Sequence, residues 1–258
     1  MFKPCLRNKL NGHQSKLMTK AHLRQLPLFL VLLLISGLAQ GKECVVLLHG
    51  LARTADSMSK LETALLNERY LVENIDYPSR KHAVKELAAT AVGQGIEACT
   101  AAGATDIHFV THSLGGILVR TYMEEHEDVD IGRVVMLGPP NQGSEVVDNL
   151  KSTPGFELLN GPAGMQLGTN PADVPRSLGP VDFELGVIAG TRSINLILST
   201  FLPNPDDGKV SVEATKVKGM TDFIALPATH PFLMRNEAVI EQTVHFLKNG
   251  SFRRDDEL

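Results

Sequence analysis

The chain has 258 residues, 43% of them hydrophobic and 21% charged, with no Trp. This is close to an ordinary globular balance and excludes a disordered, collagen-like or coiled-coil chain; a single long apolar run excludes a polytopic membrane protein. The formal net charge of −4 conceals an asymmetry, because residues 1–39 carry six Lys or Arg and no acid, leaving 19 basic against 29 acidic side chains in residues 40–258. An acidic body without a basic patch argues against nucleic acid as a partner. A body of this length can bury most of its apolar surface in one core, and a monomer is expected.

Leu26 to Ile35 reads L-P-L-F-L-V-L-L-L-I, with basic residues before it and Gly37-Leu38-Ala39 after it. These are the three parts of a secretory signal. The apolar run is about ten residues, short of the roughly 20 that span a bilayer. Residues 1–39 are therefore expected to be a signal peptide cut after Ala39, with Met18 as an alternative start, and residues 40–258 an exported domain, periplasmic or secreted. A retained anchor or a buried strand is the competing reading. The ending R-R-D-D-E-L resembles a lumenal retention address, but nothing else supports that reading. Outside the leader only Cys44 and Cys99 remain, an even pair that fits either a disulfide in an oxidising compartment or two buried thiols.

From residue 44 onward strand-like and helix-like segments alternate. Cys44 to Leu48 is a short, wholly apolar run, as expected of a buried parallel strand. Ser57 to Glu68 has helical spacing, with Met58, Leu61, Leu65 and Leu66 on one side. Tyr70 to Asp76 is the second strand. Lys81 to Thr100 is an Ala-rich helix with Val84, Leu87, Ala88, Ala91 and Val92 inward. Ile107 to Val110 is a strand, Leu114 to His126 a helix, and Arg133 to Leu137 a strand stopped by Gly138-Pro139-Pro140. Leu185 to Ala189 and Asp222 to Leu226 are further strands. Leu233 to Lys248 closes the chain as a helix with Ala238, Val239, Thr243, Phe246 and Leu247 inward. This alternation predicts an α/β fold, a mostly parallel sheet of about six strands with helices on both faces. Gly138 to Pro180 breaks the rhythm. It holds seven of the fourteen prolines and seven of the 22 glycines, and so long a connection suggests a cap or lid over about residues 141–180.

The sharpest chemical signal is I-H-F-V-T-H-S-L-G-G at 107–116. An apolar strand runs through Thr111-His112-Ser113 directly into a helix, the context of a nucleophile elbow. Thr111 stands where the usual G-x-S-x-G pattern has Gly; Gly115 meets the demand for a small residue on the other side. A Ser at such a junction is more often only a helix cap, but V-V-L-L-H-G-L at 45–51 supplies a neighbouring strand that ends in His49-Gly50. Its loop can aim the Leu51 amide, together with the Leu114 amide, at a substrate oxyanion.

Of nine histidines, His230 alone lies in the loop directly after the last strand, in L-P-A-T-H-P-F-L-M, at the sheet edge where loops after parallel strands gather, whereas His245 lies inside the last helix. His230 is the candidate base. The loop after the fifth strand, P-N-P-D-D-G-K-V-S-V, offers Asp206 and Asp207 as the orienting acid, and topology alone does not choose between them. Gly208 permits a sharp turn that favours Asp207, while Asp206, after Pro205, would more naturally cap or face water. The sequence has no P-loop, no G-x-G-x-x-G after the first strand, no H-E-x-x-H and no metal-spaced Cys/His cluster, so no cofactor or metal is expected.

Taken together, H-G-L at 49–51, T-H-S-L-G-G at 111–116, G-P-P-N-Q-G-S at 138–144, D-G-K-V-S-V at 207–212 and T-H-P-F-L-M at 229–234 make the chain resemble the α/β-hydrolase superfamily, and within it small bacterial triacylglycerol lipases and esterases. The resemblance spans about residues 44–248. It implies Ser113 as nucleophile, His230 as base, Asp207 as acid, and the Leu51 and Leu114 amides as oxyanion donors. It also implies small-molecule or lipid ester substrates, contact with lipid surfaces and no organic cofactor. A thioesterase, phospholipase A1 or acyltransferase fits the same residues, and a non-catalytic lipid-binding protein is the rival from another class.

Overall fold

The computed structural model describes residues 41–254. The expected signal segment and the final D-D-E-L lie outside the described residues. Six strands form one sheet: β1 (Glu43–Leu48), β2 (Leu71–Ile75), β3 (Asp106–His112), β4 (Val134–Leu137), β5 (Leu185–Gly190) and β6 (Asp222–Leu226). Their order is β2-β1-β3-β4-β5-β6 and every pairing is parallel. β1 and β4 are apolar runs with no polar alternation because helices cover both faces of the sheet; every residue of β4 and β5 is buried.

The helices are α1 (Ser59–Asn67), α2 (residues 84–101, with a π turn at Ala88–Val92), α3 (Leu114–Glu125), α4 (Glu145–Leu150), α5 (Phe156–Met165), α6 (Val174–Ser177), α7 (Leu196–Ser199) and α8 (Glu237–Asn249). On one face of the sheet α2 and α3 bury Val84, Leu87, Val92, Ile117 and Leu118 against Val46, Leu48 and Phe109. On the other, α1 and α8 bury Leu61, Leu65, Val239, Phe246 and Leu247 against Val45, Leu47 and Val110.

Three sequence expectations need correction. Leu66 and Ala238 are exposed, each one position off the buried stripe of its helix. The closing helix does not run from Leu233: a 3-10 turn over His230–Arg235 ends at Asn236, whose side chain accepts from the Val239 amide and starts α8 afresh.

The insertion after β4 contains α4, α5 and α6, and α3 holds it through two residues: Glu124 Oε1 accepts from the Gly179 amide at 3.2 Å, and Arg120 makes the buried contacts. Arg120, 4% exposed, donates to Asn141 O and Oδ1 at 3.0 and 3.2 Å and to Leu178 O and Gly179 O at 3.2 and 3.0 Å. Burial pushes its guanidinium down to about 10, and it remains charged at neutral pH.

At the sheet edge opposite the strand C-termini, the start of β1 is tied to the end of α2 by a buried Cys44–Cys99 disulfide with Cα atoms 5.8 Å apart. The bridge closes a 55-residue separation, for which chain entropy gives about 4 kcal/mol. The Cys44→Ala/Cys99→Ala double variant should melt lower by roughly 10 °C in thermal unfolding. An unchanged Tm would show that the bridge contributes nothing to this core.

Candidate active site

The strand order reverses direction at β1 and β3. The chain leaves β1 for β2 on one side and returns to β3 on the other, which opens a crevice at their C-terminal ends. Register puts Leu48 beside Thr111, so the 49–51 loop and Ser113 emerge side by side. Ser113 has φ 51° and ψ −114°, a conformation that costs a non-glycine residue of order 1–3 kcal/mol. It bends β3 straight into α3 and presents the hydroxyl above the sheet. A Cβ on Gly115 would lie 2.7 Å from Leu48 O, so α3 can start this close to β1 only with Gly there. Thr111 is fully buried, its hydroxyl without a partner among the described residues.

Ser113 Oγ lies 3.0 Å from His230 Nε2, and His230 Nδ1 lies 2.7 Å from Asp207 Oδ2. With Nδ1–H donating to the carboxylate, Nε2 is left to accept the Ser113 hydroxyl proton. Asp207 is 1% exposed; its Oδ1 accepts from the Lys209 and Val210 amides at 3.0 and 2.9 Å, and the His230 amide donates to Asp207 O at 3.0 Å. Gly138, at φ 55°, makes room for the pair: a Cβ there would sit 3.0 Å from Asp207 Oδ2 and 3.2 Å from His230 Nδ1. Asp206 is a correction in part. It does not face water but is buried, accepting from Ser199 Oγ and the Gly208 amide at 2.7 Å each, and so fixes the turn that turns Asp207 inward.

Two other histidines support the site. His49 donates from Nδ1 to Gly50 O at 2.9 Å and stacks on Tyr77, whose hydroxyl donates to His49 O. This ties the 49–51 loop to the end of β2. His112 donates from Nε2 to His230 O at 3.0 Å. A Cβ on Gly50 would lie 3.3 Å from Ser113 Cβ, so the loop carrying the Leu51 amide is pressed against the elbow. The Leu114 amide is the first of α3, where backbone N–H groups lack partners within the helix. His82, His108, His126 and His245 form local contacts elsewhere.

Above Ser113 a cavity of about 390 Å³ is lined mainly by apolar groups, among them Leu51, Val146, Val147, Phe156, Leu167 and Leu198. Ile194, exposed, also lines it, and Leu158 on α5 and Leu196 and Ile197 on α7 are exposed apolar side chains. Among the described residues no group of His, Cys, Asp and Glu could hold a metal ion, and no helix is long and apolar enough to cross a membrane.

The 138–144 motif, which the sequence offers without a role, holds this geometry. Asn141 Nδ2 donates to Thr215 O at 2.8 Å, the Gln142 amide to Ala214 O at 2.8 Å, and Ser144 Oγ to Lys209 O at 2.7 Å. The 138–144 stretch thus clasps the stretch that follows Asp207. Arg120 was detectable as a lone charge inside the apolar run G-I-L-V-R-T.

Comparison with known proteins agrees with this architecture. The mature form of a Bacillus licheniformis lipase superposes with a TM-score of 0.67 at 18% identity, covering 81% of this chain and 93% of that one. The chain has the α/β-hydrolase fold. This hydrolase-fold chain also matches the phospholipase PlaB of Legionella pneumophila, with a TM-score of 0.62 and 17% identity over 82% of this chain and 60% of that one. Aspergillus fumigatus lipase B gives 0.61 and 16% over 84% and 55%. The chain therefore spans little more than half the length of these last two. The palmitoyl protein thioesterase family model matches residues 44–170, a stretch that includes Ser113 and ends before Asp207 and His230. No curated protein matches.

Burial of imidazole gives the domain a pH signature. Burial, then the neighbouring His230, holds His112 well below the ordinary value of 6.5; burial also lowers His49 and His108. A His whose folded value is depressed contributes stability that is full above 6.5 and lost as pH falls below it, because the unfolded chain then binds more protons. Tm should therefore drop between about pH 6.5 and 5, and His112→Gln should flatten part of that slope. Equal slopes for the two proteins would remove His112 from this account.

Proposed function

We propose that this protein is an exported serine hydrolase that cleaves carboxylic esters with apolar acyl chains. The observation that carries the proposal is the unbroken Ser113–His230–Asp207 hydrogen-bond chain opening on an apolar cavity. Ser113 Oγ attacks the acyl carbonyl while His230 Nε2 takes its proton. Asp207 keeps the proton on Nδ1 and stabilises the imidazolium. The amides of Leu51 and Leu114 receive the oxyanion. His230 then protonates the leaving group as the acyl bond breaks, and water, activated by the same imidazole, releases the acid. α5 acts as cover: Phe156, Asn160 and Gly164 line the cavity, while its outer Leu158 and Leu159 are exposed and suit contact with a lipid surface. Export is supported by the leader pattern in residues 1–39 and by a disulfide in the body.

A thioester is the second reading, favoured by the palmitoyl protein thioesterase match over residues 44–170, which include Ser113. The same residues serve both, since only the leaving atom changes from oxygen to sulfur.

Rates on p-nitrophenyl esters from C2 to C16 and on a matched acyl thioester test the proposal. Ser113→Ala should lose about 10⁴-fold or more in kcat on all of them, and Asp207→Asn about 10⁴-fold, while Asp206→Asn keeps far more activity. A Ser113→Ala protein that retains a tenth of wild-type turnover would overturn the assignment.

A further inference from the structure

A second, larger cavity of about 1030 Å³ adjoins the catalytic one, and Ala52 and Arg53 line both. Four cations line it, Arg53, Arg80, Lys81 and Arg235, against two acids, Asp56 and Asp76. Asp76 is already engaged: its Oδ1 accepts from the Ala55 amide at 2.9 Å and lies 3.6 Å from His49 Nε2. Among the described residues none of the four cations is within ion-pair distance of a carboxylate. In a body with ten more acidic than basic residues, unpaired positive charge gathered in one groove does not follow from bulk composition.

Two of the four cations, Arg53 and Arg235, stand on the same loops as the catalytic groups, and the other two on a loop joined to them. Arg53 is two residues beyond Leu51. Arg235 ends the turn that His230 opens. Arg80 and Lys81 follow β2, in a loop joined to the 51–53 loop by the Ala52 amide donating to buried Ser79 Oγ at 3.1 Å. Arg53 is near enough to act on the site, since its charge, after burial and His230, adds to the depression of His112. An acyl chain in the apolar cavity under α4 and α5 would leave the other half of the ester facing this groove.

We propose that the groove is a subsite for a phosphate-bearing leaving group, so that the ester or thioester cleaved at Ser113 carries its anionic portion toward Arg53, Arg80, Lys81 and Arg235. The proposal rests on the hydrolase reading above and names its substrate class. Guanidinium forks match phosphate oxygens in charge and geometry, and the exposed Leu158 and Leu159 on the groove wall suit the carbon backbone that links phosphate to ester. A phospholipid and an acyl-coenzyme A both present this chemistry.

Two matched pairs separate the sources: octanoyl lysophosphatidylglycerol against monooctanoylglycerol, and octanoyl-coenzyme A against the octanoyl thioester of N-acetylcysteamine. The quantity read is the anionic-to-neutral ratio of kcat/KM within each pair. Wild-type protein should show a ratio above about ten in at least one pair, and that pair names the source. The ratio should fall as NaCl rises from about 0.05 to 0.5 M and the Debye length shortens. The triple variant Arg80→Gln/Lys81→Gln/Arg235→Gln should lower it about tenfold, whereas Arg253→Gln, outside the groove, should not. Hydrolysis of the neutral members with no anion preference in either pair, or a ratio untouched by the triple variant, overturns the subsite and leaves the hydrolase reading standing. Turnover of none of the four overturns both.

Discussion

Everything at this site depends on the crowding of backbone where β3 turns into α3. Ser113 is held at a positive φ because the strand before it is hydrogen-bonded on both sides and the helix after it must begin at once against β1. That contact is so close that only a residue without a side chain fits at position 115. The local strain is outweighed by the packing of two elements that are among the most buried in the fold, and the result is a hydroxyl standing clear of the sheet at the point where the strand order reverses.

Asp207 and His230 are placed by a different device. His230 and Asp207 come from loops after β6 and β5, which are free to wander unless tied down. Asp206 closes its own turn, the 138–144 stretch clasps the chain beyond Asp207, and Arg120 anchors that stretch to the helix that Ser113 begins. α3 and the loop bearing Asp207 are thereby linked through the buried Arg120 guanidinium. Its desolvation is offset by four backbone carbonyls and an amide oxygen rather than by a carboxylate.

Much of this was legible from residue order. The central strands β1, β3, β4 and β5 read as short, mostly apolar and buried runs, while β2 and β6 are half-buried edge strands; all six are legible in the residue order. Ser113 and His230 stand at strand ends, where topology dictates which edge they share. The misreadings have physical causes. Leu66 and Ala238 lie at the margin of an apolar stripe, where spacing cannot distinguish the last buried position from the first exposed one. Asn236 interrupts the closing helix because an Asn after a 3-10 turn caps better than it continues. Asp206 reads as a solvent-facing turn residue, yet its burial serves the residue beside it. The cationic groove was invisible because its residues are scattered from position 53 to 235 in a chain whose total charge has the opposite sign; only the convergence of three loops collects them.

The reactivity of Ser113 as an activated nucleophile can be read without knowing the substrate. The native protein, treated with a fluorophosphonate at neutral pH and digested, should carry the phosphonyl group on the peptide containing Ser113, at a rate that Asp207→Asn slows sharply. Absence of labelling, or labelling of another serine such as Ser79 or Ser144 in place of Ser113, would contradict the account.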